Sequence, residues 1–407
     1  MQKKIKVEQL RLGMYIQQLG CSWMEHPFLR KSFLLDSAAD LQTIKATKMS
    51  WVCIDTDKGL DVAQQTEPET ATPQEPEPDI PAAPTDKPVR VSTAHEAERA
   101  VMICSKSKQA VASMFQESRM GQALNADDAL PIVEEISDSV LRNPDALISL
   151  ARLKNKDDYT YMHSVAVCAL MVSLARQLGL DEEQIRQAGL AGLLHDIGKM
   201  AIPPEILNKP GKLTDEEFIV VKNHPTEGYK MLLGGVGVGE ASLDVCLHHH
   251  EKIDGTGYPE RLREDQISLY AKMGAVCDVY DAITSNRPYK SGWEPAESIR
   301  RMAEWSKGHF DQRVFQAFVR SVGIYPVGSL VRLESGRLAV VTDQSEKSLL
   351  SPRVKVFFSI KSNCRIAHES LDLSQPGCKD KIASYEDPGK WNIPDIQELW
   401  SGKTTSA

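Results

Sequence analysis

Histidine and aspartate residues that could bind metal ions cluster in one part of this sequence. Six of the ten histidines lie in the 88-residue span from His163 to His250, each beside a predicted helix end or within a helical pattern. A single histidine on an apolar helix is usually a hydrogen-bonded core residue, and His163 alone would have that interpretation. His195 and Asp196 differ, because an adjacent imidazole and carboxylate at a helix end bring two metal-ligating groups to one point. The pattern favours a metal site with nitrogen and oxygen ligands.

Four short motifs in this region resemble one known family. They are His195-Asp196-Ile197-Gly198-Lys199, His249-His250-Glu251, Asp254-Gly255-Thr256-Gly257-Tyr258-Pro259 and Asp278-Val279-Tyr280-Asp281. These residues are similar to the motifs of the HD-GYP family of cyclic dinucleotide phosphodiesterases, over roughly residues 150–320. Residues 1–60 resemble an uncharacterised module often found ahead of HD-GYP domains. The resemblance implies a mainly α protein built on an HD-superfamily helical bundle.

Matching positions imply seven metal ligands and two divalent metal ions. The implied ligands are His163, His195, Asp196, His224, His249, His250 and Asp278. Five imidazoles and two carboxylates suit two metals bridged by Asp196, and a donor set without thiolate favours iron or manganese over structural zinc. Family members with a third metal have a glutamate four residues before the first histidine, where this chain has Tyr159. We therefore expect two metals.

The resemblance further implies that the protein hydrolyses a phosphodiester. The expected reaction opens cyclic di-GMP to pGpG, with continued hydrolysis to GMP left open, through a hydroxide that bridges the metals. Asp196 and Lys199 are the expected catalytic residues. Lys199 follows Asp196 by three positions, close enough to orient the attacked phosphate or to protonate the departing 3′ oxygen. A solvated lysine at a helix end is the alternative for Lys199.

Five further residues are expected to contact the substrate. They are Gly257, Tyr258, Pro259, Arg287 and Lys290. The glycine permits close approach, and the tyrosine offers a stacking face and a hydroxyl group. The two cations match positions that the family uses against phosphate oxygens, and an arginine fork suits that geometry. A surface ion-pair role is the rival interpretation for both cations.

Two other functions stay open. Metal ligands do not read bases, so the substrate could be another cyclic dinucleotide such as cyclic GMP-AMP. The chain could also be a catalytically silent receptor that binds a cyclic dinucleotide and signals through its N-terminal module. Loss of a metal ligand would favour the receptor, and the sequence shows no such loss.

The N-terminal third of the chain shows a module followed by a linker. Residues 1–60 contain β-like runs at Met14–Ile16 and Trp51–Ile54 around a predicted helix from about Ser37 to Thr47, which predicts a small α+β module. Trp23, His26 and Phe28 are typical of a small core or a partner-binding patch, so the module is expected to regulate or to bind a protein partner. Residues 61–93 are rich in proline and acidic residues, which predicts an extended linker.

The remaining chain must position the metal ligands. Residues 94–322 have helical periodicity and contain the expected catalytic domain, with capping-box spacing at Asp181–Gln184 and Thr214–Glu217. Residues 323–407 predict a small β appendage, with strands at Leu330–Leu333, Leu338–Val341 and Val354–Phe358.

Composition narrows the cellular setting and the partners. The formal net charge of −8 and the lack of a dense basic stripe argue against binding to a DNA or RNA polymer. No run of 18 apolar residues and no signal peptide are recognised, so neither a membrane span nor secretion is expected. The eight cysteines form no CxxC pair, which favours a reduced, cytoplasmic location. A homodimer is left open.

Overall fold

The computed structural model describes residues 2–19, 33–35, 37, 41, 44–45, 51–60, 91–151, 159–209, 211–285, 292–345 and 348–401. Contacts within the chain divide it into two units, residues 1–85 and residues 86–407. The predicted linker lies almost wholly outside the described residues, and so do Trp23, His26 and Phe28.

The N-terminal unit is a four-stranded antiparallel sheet with a small apolar core. Its strands are β1 (Gln2–Lys6), β2 (Tyr15–Leu19), β3 (Phe33–Leu34) and β4 (Trp51–Asp55), in the order β1-β4-β2-β3. Ile16 and Ile54 are fully buried and pair across β2 and β4. The predicted strands are therefore confirmed. Of the predicted helix, Leu41, Ile44 and Lys45 are helical, and most of its other residues lie outside the described part.

Helices form most of the second unit. They are α1 (Thr93–Arg119), α2 (Leu130–Arg142), α3 (Pro144–Ala151), α4 (Tyr159–Leu178), α5 (Glu182–Leu194), α6 (Pro204–Leu207), α7 (Asp215–Lys222), α8 (His224–Leu233), α9 (Glu240–His248), α10 (Leu269–Thr284), α11 (Pro295–His309) and α12 (Gln312–Val322). Both predicted capping boxes are present: Asp181 and Gln184 bond each other's backbone at the start of α5, and Thr214 and Glu217 do so at the start of α7. Reciprocal caps satisfy backbone N–H groups that the first helical turn leaves free.

Helix α4 is the centre of the bundle. Fourteen consecutive residues, from Met162 to Ala175, are buried, and α4 packs against α5, α10 and α12. Among the described helices α4 alone is long and apolar enough to cross a membrane by composition, but most of its side chains are buried inside the protein. An apolar helix buried on all sides is a core helix. It is therefore a rigid support for any polar side chain that it carries.

The C-terminal sheet is part of the same unit as the helices. Its strands are β5 (Leu330–Leu333), β6 (Arg337–Asp343), β7 (Arg353–Ser359), β8 (Cys364–Asp372) and β9 (Ile382–Tyr385), in the antiparallel order β8-β7-β6-β5-β9. Two short helices follow, α13 (Pro388–Trp391) and α14 (Ile396–Ser401). Thr93 at the start of α1 donates two hydrogen bonds to Asp343 in β6, from its backbone nitrogen at 3.0 Å and from Oγ1 at 2.7 Å. The predicted architecture, mainly helical with a small module at each end, is confirmed.

Candidate metal centre and active site

The structure brings all seven expected metal ligands into one cluster. His163 is in α4, His195 and Asp196 follow α5, His224 begins α8, His249 and His250 follow α9, and Asp278 is in α10. Each is buried except His250, which is half-buried. Helix ends and core helices therefore converge on a single polar point in an apolar bundle.

Asp196 lies between two groups of imidazoles. Its Oδ2 is 3.3 Å from Nε2 of His163 and 3.4 Å from Nε2 of His195. Its Oδ1 is 3.2 Å from Nε2 of His224 and 3.8 Å from Nε2 of His249. Each carboxylate oxygen thus faces a different pair of histidines.

Asp278 is a second carboxylate shared by the two groups. Its Oδ1 is 2.9 Å from Nε2 of His163, and its Oδ2 is 3.7 Å from Nδ1 of His250. Within the described residues, three sets have ligand atoms close enough together to hold one metal ion. They are His163, His195 and Asp278; His224, His249 and His250; and His195, Asp196 and His249.

Hydrogen bonds to Nδ1 set the tautomer of four of the histidines. Nδ1 of His195 and Nδ1 of His224 each lie 2.8 Å from a backbone carbonyl oxygen, and Nδ1 of His249 lies 3.0 Å from one. Nδ1 of His163 lies 2.6 Å from Oδ2 of Asp281. Carbonyl and ionised carboxylate oxygens only accept, so each Nδ1 carries a proton, and a ring presents a lone pair at Nε2 whenever that ring is neutral.

Those lone pairs face one another across short distances. Nε2 of His163 is 3.3 Å from Nε2 of His195, and Nε2 of His224 is 3.3 Å from Nε2 of His249. When both rings of a pair are neutral, their two lone pairs cannot hydrogen-bond, so a positive charge must lie beside them; a proton on His163 can supply it for the first pair, and a bound cation can supply it for both. Oδ1 of Asp196 is also buried without a hydrogen-bond partner among the described residues. Orphaned acceptors of this kind fit divalent metal ions.

The two carboxylates are ionised. Burial acts to raise the pKa of Asp196, but Lys199 and His195 outweigh burial and hold this pKa well below its ordinary value. Burial likewise opposes ionisation of Asp278, and the hydrogen bond from His163 lowers its pKa well below the ordinary value. Ionised carboxylates are the protonation state that a metal ligand requires.

His163 differs in protonation from His249 and His250. Burial lowers the pKa of His250 to about 3, and burial together with its charged neighbours lowers the pKa of His249 well below the ordinary value. Burial also acts to lower the pKa of His163, but hydrogen bonds to three carboxylates, Asp196 first, raise it to about 10. The two ionised carboxylates therefore need a positive charge beside them. Either a proton on His163 or a bound cation can supply that charge.

Lys199 reaches the cluster. It lies in the short 3₁₀ helix Ile197–Ala201 after Asp196, and its Nζ contacts Oδ2 of Asp196. The lysine side chain is one-fifth exposed, so its ammonium group faces both the cluster and solvent. It is positioned to contact an anion bound at this point.

Gly198 allows two elements of the site to touch. A Cβ atom at this position would lie 1.9 Å from the carbonyl oxygen of His224 and 2.4 Å from the backbone nitrogen of Gly228. Only glycine permits this approach. The backbone after Asp196 can therefore lie directly against α8, which places Asp196 beside His224.

The loop with Gly257, Tyr258 and Pro259 borders the cluster. The Tyr258 ring stacks on the ring of His250, with centroids 4.7 Å apart, and the peptide bond before Pro259 is cis. A Cβ atom at Gly257 would lie 2.5 Å from Cα of Glu251, so the loop packs tightly on the chain after His250.

Glu251 holds this loop through its backbone. Its buried carboxylate accepts three backbone N–H bonds: Oε1 from Glu260 at 2.7 Å and from Arg261 at 2.9 Å, and Oε2 from Leu262 at 3.1 Å. A carboxylate that binds several N–H groups organises a loop as a helix cap organises a helix. No role was predicted for Glu251 from the sequence, although a charged residue directly after two expected ligands was a usable signal.

Two other polar residues, His248 and Tyr159, mark the limits of the site. His248 faces away from the cluster, with Nδ1 2.7 Å from Asp244 and Nε2 3.3 Å from Glu260. The Tyr159 ring is parallel to the ring of His163 at a centroid distance of 6.0 Å. Arg287 and Lys290 lie outside the described residues.

Two family models and several known proteins match this chain. A family model described as a domain of unknown function matches residues 2–129, and one described as an HD domain matches residues 136–314, which confirms the predicted HD-superfamily bundle. A cyclic di-GMP phosphodiesterase of Pseudomonas aeruginosa is 56% identical over 407 residues, covering 100% of this chain and 97% of that protein.

Two further similarities cover less sequence or are more distant. A 3′3′-cGAMP-specific phosphodiesterase of Vibrio cholerae is 38% identical over 167 residues, which cover 41% of this chain and 38% of that protein. A solved structure of an HDG"Y"P protein from Bdellovibrio bacteriovorus is 19% identical, with a TM-score of 0.47 over 78% of this chain and 98% of that chain. The full-length match and the HD domain around the histidine cluster together show that this chain belongs to the HD-GYP family of phosphodiesterases.

Proposed function

We propose that this enzyme hydrolyses cyclic di-GMP to pGpG with two divalent metal ions, iron or manganese, bound in the histidine–aspartate cluster. The observation that carries the proposal is the position of Asp196, with one carboxylate oxygen toward each pair of histidines. The name of the Pseudomonas aeruginosa relative, 56% identical over its near-complete length, supports the choice of substrate.

The two halves of the cluster suggest which residues would hold each ion. His163, His195 and Asp278 would hold one ion, and His224, His249 and His250 the other, with Asp196 between them. Tyr159 supports two ions rather than three, because a phenol ring stands where a third-metal site would need a carboxylate. Nitrogen and oxygen donors without thiolate favour iron or manganese.

Bound divalent cations supply Lewis acidity and lower the pKa of a coordinated water toward neutrality. Hydrolysis then adds water across one 3′–5′ phosphodiester, with cleavage of the bond from phosphorus to the 3′ oxygen. Lys199 is suited to hold a phosphate oxygen or to give a proton to the departing 3′ oxygen, because its ammonium group adjoins Asp196. Asp281 orients His163 through Nδ1.

The proposed substrate contacts lie around the cluster. Tyr258 is supported by its stacking on His250, and Gly257 and Pro259 by the loop that carries Tyr258. Arg287 and Lys290 keep their expected role against phosphate oxygens as part of this proposal.

We also propose a role for each of the other parts of the chain. Residues 1–60 would regulate or localise the enzyme, or bind a protein partner, and residues 61–93 would tether them to the helical region 94–322, which the β appendage 323–407 follows. A cytoplasmic location is supported by the described cysteines, which are all free thiols.

The test is turnover by the metal-loaded full-length protein. We expect chromatography to show pGpG formed from cyclic di-GMP faster than any product from cyclic GMP-AMP or cyclic di-AMP, with two metal ions per chain by elemental analysis. Faster hydrolysis of cyclic GMP-AMP would show that cyclic GMP-AMP, and not cyclic di-GMP, is the preferred substrate. Binding of cyclic di-GMP without turnover at full metal content would instead identify a receptor.

Two neighbouring histidines provide a matched control. His249→Ala removes an imidazole from the cluster and should lower both metal content and kcat/KM, the latter by at least about 10³-fold. His248→Ala removes the adjacent imidazole, which pairs with Asp244 and Glu260 instead, and should keep both metals and most of the activity. Equal losses in the two variants would contradict the assignment.

A further inference from the structure

A cleft of about 490 Å³ opens beside the metal cluster. His224 and Tyr258 line it on the cluster side: His224 faces Asp196, and the Tyr258 ring stacks on His250. The volume lies within the range of about 300–1,000 Å³ typical of small-molecule sites. A ligand whose phosphate lies at the cluster can therefore place its next group in this cleft.

One wall of the cleft is apolar and belongs to α7. Ile219 and Val220 line the cleft although they are 69% and 40% exposed, and the neighbouring Phe218 is 46% exposed. No residue of α7 is buried, so these side chains do not serve the protein core. Adjacent exposed apolar side chains beside a polar site are typical of ligand contacts. The flat face of a nucleobase is a matching group, since bases pack on apolar and aromatic side chains.

Lys222, at the end of α7, places a positive charge over this wall. Its Nζ lies 4.8 Å from the centroid of the Phe218 ring and 5.2 Å from that of the Tyr258 ring. No carboxylate within the described ranges forms an ion pair with it. Guanine presents two acceptors, O6 and N7, on one edge and suits a lysine there, whereas adenine has an amino donor in place of O6.

We propose that the cleft beside α7 is the subsite for a guanine base, with Ile219 and Val220 against its face and Lys222 donating to O6 and N7. The inference rests on the proposed function, because guanine belongs to the proposed substrate. It deepens that function by naming the residues that read the base, which the metal ligands cannot do.

The test measures binding without turnover. Isothermal titration of the metal-loaded full-length protein with GMP, AMP and ribose 5-phosphate compares three ligands that share a ribose phosphate. Lys222→Met keeps the apolar stem and removes the charge, so we expect about tenfold or greater loss of affinity for GMP, with AMP and ribose 5-phosphate within about twofold. Lys212→Met, an exposed lysine ahead of α7, is the matched control and should change none of the three.

A second variant tests the apolar wall. Ile219→Asn should weaken GMP and AMP alike by about threefold or more and leave ribose 5-phosphate unchanged, because only the bases reach this side chain. Ile219 is exposed, so the variant should fold.

Two results would overturn the subsite. Equal weakening of all three ligands by Lys222→Met would identify a phosphate contact, and no weakening would place the base elsewhere. Because the measurement needs no hydrolysis, guanine-selective binding that depends on Lys222 would uphold the subsite even if cyclic di-GMP were not cleaved.

Discussion

Replacing Glu251 should disorder the loop that carries Tyr258 without removing an expected metal ligand. In the native chain its carboxylate accepts backbone N–H bonds from three consecutive residues, 260–262. Glu251→Ala removes all three bonds. Glu251→Gln keeps one carbonyl oxygen, which can serve the two bonds now made to Oε1, and turns an amide N–H₂ toward the third donor.

The structure supports an estimate of the loss. An unsatisfied buried donor costs about 1–3 kcal/mol, and we take about 1 kcal/mol each because these bonds are only part-buried. Glu251→Ala then destabilises the ordered loop by about 3 kcal/mol. If the whole of this free energy is lost from the transition state, kcat/KM falls by about 150-fold. Glu251→Gln loses one bond, about 1 kcal/mol, and its kcat/KM should fall by about fivefold.

The assay is kcat/KM with cyclic di-GMP, measured beside metal content and melting temperature. Glu260→Gln is the matched control: its exposed side chain reaches His248, and its backbone N–H still binds Glu251, so activity should stay within about twofold. Glu251→Ala with full metal content and kcat/KM within twofold of the native value would refute the reasoning.

Three further substitutions test other parts of the structure. Asp281→Asn weakens the bond that orients His163, so metal affinity should fall about 10–100-fold in a chelator titration, and unchanged affinity would contradict its role. Gly198→Ala forces a Cβ atom against a backbone carbonyl, so unfolding free energy should fall by about 1–3 kcal/mol or more together with metal content; an unchanged melting temperature would argue against the close contact. Glu96→Ala breaks a part-buried bidentate pair with Arg142, and calorimetry should show a loss of about 2 kcal/mol, or roughly 3 °C; a shift below 1 °C would show that the pair adds little stability.

Much of this protein could be predicted from local sequence alone. Capping-box spacing identified the starts of α5 and α7 correctly, because a cap depends on side chains within one helical turn. Adjacent His195 and Asp196 at a helix end indicated a metal site, because two neighbouring ligands reach one point in almost any fold. Apolar runs predicted β5, β6 and β7 for a similar reason, since most residues of these runs are buried in the sheet core.

Strands β8 and β9 were not predicted. Strand β8 is a mostly exposed edge strand, so charged and small polar residues occupy positions where a periodic apolar signal would otherwise appear. Its strand form depends on pairing with β7, a neighbour that sequence alone does not identify.

Only the tertiary structure decided how the ligands are arranged. The family resemblance implied which histidines are expected ligands, but only distances between residues on different helices show which histidines lie together and which oxygen of Asp196 faces each pair. The same is true of Glu251, whose partners are 9 to 11 residues away and are backbone groups without a side-chain signature. Likewise, Lys222 at the end of α7 lies over the Tyr258 ring only because two segments that are distant in sequence fold onto one cleft. Residue type and helix period are local properties, whereas the approach of distant segments depends on how the whole bundle packs.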